Sequence, residues 1–337
     1  MTLKPGSKNL ITDVPGLNVG NAEDHILKSG VSVLTSSNPM TASYCVMGGA
    51  PGTRETDLLE PDKTVHGIDA IVLSGGSAFG LDATNGVVEY LREQGKGFAM
   101  GPFNVPIVPT AIIFDLRTGG DKTWHKNPYP ALGRQAIENA SENFQLGSHG
   151  AGFGATTGQV KGGLGSASSI LSNGVIVGAL VIVNAMGNVI DPVSGKFWAA
   201  PFELENEFGG YGAPGDAIYG SALKYSKINS IKEGANSTIG IVATNATITK
   251  SEAKRVATCA HDGLSRAIVP SHLPYDGDLI FSVSTGELNI TFSNEEFAEL
   301  CHLSSVTMSR AIARAVYHAS SNENDTMKCF QDKYETI

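Results

Sequence analysis

Several things are scarce in this chain, and each scarcity excludes something. There are four cysteines in 337 residues, Cys45, Cys259, Cys301 and Cys329. None stands in a CxxC spacing, so no zinc knuckle or redox pair is expected, and they read as free thiols of a reducing compartment. Basic residues are outnumbered, with 24 Lys and Arg against 33 Asp and Glu, a net charge of −9. That balance argues against a nucleic-acid partner, which requires a basic patch. The longest apolar segment, residues 175–183, has strand length and falls far short of the roughly 18 residues of a membrane span. The opening MTLKPGSKNLITDV has no apolar run of signal-peptide length. The expectation is a cytoplasmic protein with no membrane segment. No internal repeat is visible.

What is present is a long chain with 40 glycines, enough for many tight turns and close backbone approaches. Runs rich in β-branched residues at 68–73, 175–183, 238–243 and 279–283 read as strands. Residues 80–94 and 130–143 read as helices. The clearest helix is 251–268, where Ala253, Val256, Ala257, Ala260 and Leu264 form one apolar stripe and Thr249 or Ser251 serves as cap. Strands and helices alternate without a regular βαβ beat, so the fold class is α/β (α+β), a mixed sheet with helices outside. The softest break is the Gly-rich stretch 209–236. The polar tail 320–337 is expected to be poorly ordered.

Five segments hold candidate chemistry. In Gly234-Ala235-Asn236-Ser237, a Gly-containing loop runs into the apolar strand TIGIVATNATI. A hydroxyl at that junction is placed to attack the Asn236 carbonyl and free Ser237 as a new N-terminus. Its α-amine, with a pKa of roughly 8, then serves as base for its own hydroxyl. In YDGDLIF, Asp276 and Asp278 are paired carboxylates suited to orienting an ammonium and a hydroxyl, or to binding a cation. Lys161 stands in a Gly-rich stretch whose spacing does not make a dinucleotide loop. LSGGSAFG comes close to a nucleophile elbow centred on Ser77, although position 79 is Phe where the elbow needs Gly. Asn184 ends an apolar strand, where its amide is placed to donate to an oxyanion.

Taken together, MGGAPGTRETDLL, LSGGSAFGLDA, GAGFGATTGQVKGGLGSAS and NSTIGIVATNATIT resemble one family. It comprises the L-aminopeptidase/D-amidase-esterases, the β-peptidyl aminopeptidases and the endo-type 6-aminohexanoate-oligomer hydrolases, all N-terminal-nucleophile hydrolases. The resemblance covers nearly the whole chain. It implies a four-layer αββα sandwich cut into an α chain, 1–236, and a β chain, 237–337, that share one structural domain. It implies Ser237 as nucleophile, Asn236–Ser237 as cleavage site, Asn184 at the oxyanion, Lys161 and Tyr129 in or near the site, and Asp276 and Asp278 as orienting acids. It implies no metal or organic cofactor, small peptide or amide substrates, and a homo-oligomer, often a tetramer of αβ units. It also reassigns LSGGSAFG to structure. The chain mixes two branches, because Ser237 matches the aminopeptidases and the Asp pair matches the oligomer hydrolases. An oligomer hydrolase is therefore the alternative. An acyltransferase of related fold, or a binding protein that has lost the chemistry, are further alternatives.

Overall fold

The computed structural model describes residues 3–215, 219–228 and 236–334. The Gly-rich break at 209–236 is thus described only in part, and Gly234 and Ala235 lie outside the described residues. In chain order the main elements are β1 (Leu17–Asp24), β2 (Ser29–Val46), β3 (Thr53–Arg54), β4 (Ile68–Ser74), α1 (Ala83–Glu93), β5 (Phe98–Met100), β6 (Phe103–Val105), β7 (Thr110–Ile112), α2 (Tyr129–Glu138), β8 (Gly163–Ile170), β9 (Ile176–Asn184), β10 (Ser237–Ala246), α3 (Lys250–Ala267), β11 (Leu279–Leu288), α4 (Asn294–Tyr317) and α5 (Phe330–Tyr334). No helix among the described residues is long and apolar enough to cross a membrane.

The large sheet runs β3-β7-β4-β2-β11-β10-β9-β8, with β1 also paired to β2. Its bend lies within β2. The first part of β2 pairs with β1 and β4, the last part pairs with β11, and the register shifts between Thr35 and Met40. Ser37, Asn38 and Pro39 are exposed at that point. Proline offers no N–H to a ladder, so a strand tolerates it where pairing lapses. The two halves of the sheet then fold face to face.

Alternation along each strand sorts the side chains into three cores. Leu34, Ile71, Leu73, Leu180, Ile182, Ile239, Ile241 and Phe281 pack between the two half-sheets. Val31, Val33, Ala70 and Val72 face α1 and α2. Val177, Val181, Val242 and Ile280 face α3 and α4. The result is a mixed α/β sandwich of helix, sheet, sheet and helix layers. Residues on both sides of the Asn236–Ser237 bond contribute to the same two cores.

The expected strands all form. Thr249 caps α3 through a capping box with Glu252, which satisfies free N–H groups of the first turn. Two expectations need correction, and one helix was missed. The helix expected over 130–143 ends at Glu138, because Ser141 instead exchanges two backbone hydrogen bonds with Val19 of β1, at 2.9 and 3.1 Å. The 24-residue α4 was not foreseen, since its middle, Ser304, Ser305, Thr307, Ser309 and Arg310, is polar yet buried. Ser304 and Ser309 hide their hydroxyls on the carbonyls of Leu300 and Ser305 four residues back. Arg310 is met by Glu207, Asn9 and the Ser168 carbonyl. The tail, finally, is placed rather than loose through residue 334. Phe330 is fully buried against Phe197 and Tyr317.

Phe330→Ala should therefore cost about 3–5 kcal/mol of stability, the usual range for a large aromatic removed from a core. Urea denaturation of the two proteins measures it, and a loss under ~1 kcal/mol would mean the tail does not pack as described.

Candidate active site

The N-terminal end of β10 lies between the C-terminal end of β9 and the loop leading into β11. Every residue of β10 is buried, so its first residues have no water to satisfy them and need protein partners. Ser237 stands directly opposite Asn184 in the antiparallel register. Facing pairs on adjacent strands share one face of the sheet. Here that face is the one between the half-sheets, shared with Ile182 and Ile239. Ser237 is 2% exposed and Asn184 is 1% exposed.

Asn184 is fixed at both ends of its amide. Its Oδ1 accepts from Thr156 N–H at 3.0 Å, and its Nδ2 donates to the Phe114 carbonyl at 3.1 Å. An amide nitrogen carries two hydrogens, so one remains for another acceptor.

The loop before β11 wraps the junction from the other side. Asn236 pairs with Asp276 in a parallel bridge. Asn236 N–H donates to the Tyr275 carbonyl at 3.2 Å, and Gly277 N–H donates to the Asn236 carbonyl at 2.7 Å. Gly277 has to be glycine, because a methyl there would lie 2.4 Å from Ser237 Oγ and 2.6 Å from the Ala50 carbonyl. Gly48 answers the same crowding, since its Cβ would meet Asp278 N at 2.2 Å. The Met47–Ala50 stretch thus packs as bare backbone, with Met47 and Gly48 N–H on the Asp278 carbonyl and Ala50 N–H on that of Asp276.

The two acids hold backbone. Asp278 Oδ1 accepts from Thr238 N–H at 2.7 Å, and its Oδ2 accepts from His272 at 2.8 Å. Asp276 accepts from Met186 N–H at 3.2 Å and Leu273 N–H at 3.1 Å. Burial, then the charge of Asp278, push the Asp276 carboxyl above its usual range. His272 is raised, because the carboxylate of Asp278 outweighs the burial that opposes its charge.

Three residues of the site were not picked out from the sequence. Lys227 Nζ donates to Asn236 Oδ1 at 2.9 Å and to the Thr156 carbonyl at 2.8 Å. Burial lowers its pKa to about 7, against the pull of Asp276. One of three lysines between residues 209 and 236, it carries no local signal of this. His272 and Gly277 are equally silent in sequence, although Gly277 lies within the YDGD segment.

Two expected residues bond elsewhere. Lys161 forms an ion pair with Asp325 at 2.6 Å. Tyr129 is buried beside α1 and donates to Ser29 Oγ at 2.9 Å. Ser29 in turn donates to Asp115, which follows the Phe114 whose carbonyl holds Asn184. Tyr129 thus stands behind the site, several bonds from Ser237. Ser77 has a positive φ of 52°, as an elbow would, but no histidine or carboxylate bonds its Oγ among the described residues. The nearby Asp115 is occupied by Ser29 and Gly76 N–H.

The comparisons with known proteins bear on this arrangement. Residues 9–329 match Peptidase family S58. The chain belongs to that family. It is 42% identical over 290 residues to an uncharacterized aminopeptidase of Mycobacterium tuberculosis, covering 84% of this chain and 83% of that one. It is 28% identical over 300 residues to a 6-aminohexanoate-oligomer endohydrolase of Kocuria sp., covering 85% and 77%. In three dimensions it is similar to a β-aminopeptidase of Burkholderia sp., with a TM-score of 0.72 at 19% identity over 100% and 97% of the chains. It is also similar to the L-aminopeptidase D-Ala-esterase/amidase of Ochrobactrum anthropi, described as a variant of the Ntn-hydrolase fold, with a TM-score of 0.67 at 19% identity over 99% and 96%. The S58 chain is thus a hydrolase of peptide or amide bonds with an Ntn-hydrolase fold.

With Ser237 as the nucleophile proposed below, Gly277→Ala is expected to lower kcat/KM on amino-acid p-nitroanilides by about 100-fold or more, since the added methyl pushes Ser237 Oγ aside and a misplacement of about 1 Å costs that much. A cooperative thermal melt recorded beside the assay separates this from unfolding. Activity within about threefold of the parent would refute the close approach.

Proposed function

We propose that the chain cuts its own Asn236–Ser237 bond and then hydrolyses small amides with Ser237 as an N-terminal nucleophile. The observation that carries this reading is the Gly277 N–H held 2.7 Å from the Asn236 carbonyl. A donor on that oxygen stabilises the charge that builds there when Ser237 Oγ adds to the carbonyl carbon. Asn236 itself is held by Lys227, and Asp278 fixes Thr238 N–H just beyond the bond.

In self-cleavage, Ser237 Oγ bonds to the Asn236 carbonyl carbon and its proton passes to the Ser237 nitrogen as the C–N bond breaks. Water then splits the ester, leaving an Asn236 carboxylate and a free Ser237 α-amine. In turnover, that amine takes the Oγ proton as Oγ attacks the substrate carbonyl and returns it to the leaving amine, after which water splits the acyl–Ser237 ester, releasing the acid and restoring the hydroxyl. The spare Nδ2 hydrogen of Asn184 serves the oxyanion, a contribution of about 3 kcal/mol for one donor. Asp276 and Asp278 orient the new ammonium. Lys161 acts from behind the Thr156 loop, and Tyr129 acts through Ser29 and Asp115.

Small peptides and amino-acid amides are the preferred substrate class, in line with the aminopeptidase relatives. The Asp276/Asp278 pair keeps amide oligomers as a second class. We also propose a homo-oligomer of cleaved αβ units, a tetramer in the simplest case. The β5–β6 hairpin supports this, exposing Phe98, Met100, Phe103 and Val105 together, and a contiguous exposed apolar patch is the kind of surface that marks an interface.

Denaturing mass spectrometry of purified protein should show two fragments parted between residues 236 and 237, and Ser237→Ala should stay whole and inactive. A whole 35.2 kDa chain with full activity would sink the proposal. Lys227→Met should slow fragment formation about tenfold or more, with Lys227→Arg recovering much of the rate. Equal rates in all three proteins would remove Lys227 from the processing step.

A further inference from the structure

The tail between α4 and α5 crosses the molecule with its backbone tied down at both ends. Ser320 N–H bonds Ser148 Oγ at 3.1 Å, and the Lys328 carbonyl accepts from Lys161 N–H at 2.9 Å. Most side chains between them face solvent. Asp325 points inward. Its Oδ1 takes Lys28 Nζ at 2.7 Å, and its Oδ2 takes Lys161 Nζ at 2.6 Å and Asn322 N–H at 2.7 Å.

These are buried charges. The side chains of Lys28, Lys161 and Asp325 are 7%, 3% and 13% exposed. Two ammonium groups therefore share one carboxylate. Lys122 adds a third cation close by, with its Nζ on the Leu27 and Lys28 carbonyls. Burial lowers the Lys161 pKa. The Asp325 carboxyl is held below its usual range, because its hydrogen bonds to the two lysines outweigh its own burial. A desolvated pair of cations demands an anion.

The position of this pair matters more than its charge. It borders a small cavity lined by Phe153, Gly154, Ala155 and Thr156. Thr156 is the residue whose N–H holds Asn184 and whose carbonyl holds Lys227. One face of the loop 153–156 thus serves the Ser237 site, and the same loop walls the lysine pair.

We propose that Lys28 and Lys161 form a carboxylate-binding subsite beside the Ser237 site, filled in this state by the chain's own Asp325. The tail is then a tethered competitor. A substrate or product with a free carboxylate gains the subsite only by lifting Asp325 off it. Binding of a carboxylate needs only these side chains, whereas the competition with substrate rests on the hydrolase reading above.

The test uses the full chain and Asp325→Ala, with Asp325→Asn in reserve should the alanine variant fail to fold. Thermal melts are recorded in potassium acetate against potassium chloride at equal ionic strength. Acetate should raise the Tm of the Asp325 variant saturably, by several degrees, and leave the parent unmoved. Adding Lys161→Met should abolish the response. No acetate-specific rise, or the same rise in all three proteins, overturns the subsite. The second readout is kcat/KM on a dipeptide against its C-terminal amide. Loss of Asp325 should shift that ratio at least fivefold toward the free acid. An unchanged ratio beside a clear acetate response overturns the competition. Absence of turnover in the parent itself counts against the hydrolase reading and leaves the melts to decide the subsite.

Discussion

The burial of β10 on both faces is the constraint from which the site follows. A strand with no exposed residue must place every backbone polar group on a neighbour. Along its length β9 and β11 supply the partners. At its first residues the ladder ends, and the partners become Asp278 on Thr238 N–H and Gly277 on the Asn236 carbonyl. The same requirement that completes the sheet thus puts a donor on one particular carbonyl and a carboxylate beside the next amide.

That solution is crowded. Gly48 and Gly277 are bare because neighbouring backbone and Ser237 Oγ leave no room for a Cβ. It is also charged. Asp276 and Asp278 are buried on backbone N–H groups, His272 bonds the Asp278 carboxylate, and Lys227 donates to the Thr156 carbonyl and to Asn236 Oδ1. Groups kept in such surroundings titrate far from their usual range, as Asp276 and Lys227 do, and such groups gather at reactive sites. The S58 family makes the chain a hydrolase of peptide or amide bonds on an Ntn-hydrolase fold.

Much of the site was readable in order along the chain. Ser237, Asn184 and the Asp pair each end or begin an apolar strand, and strand ends meet at sheet edges. The Gly-rich blocks were readable as places of close approach. Lys227 was not, because its partners are the carbonyl of Thr156 and the side chain of Asn236, neither of which a local pattern announces. Lys161 stood out in its Gly-rich stretch, but its bonding was not readable, since its partner Asp325 lies 164 residues away. The tail was misjudged for a related reason. Its polar composition outweighed two aromatics, of which Phe330 finds a ready-made hole between Phe197 and Tyr317.

The sequence by itself determined the strands, their alternation, and hence the layered α/β sandwich. Period-two patterns of apolar residues select a face for each side chain before any tertiary contact forms. It also determined the Asn-Ser junction at the head of an apolar strand. Only the tertiary structure decided which charges meet there. It lays β9, β10 and the loop before β11 side by side, brings Lys227 onto the Thr156 carbonyl, and carries Asp325 back to Lys28 and Lys161. Such pairings join residues distant in the chain, and they are set by how the layers stack rather than by any repeat or spacing along them.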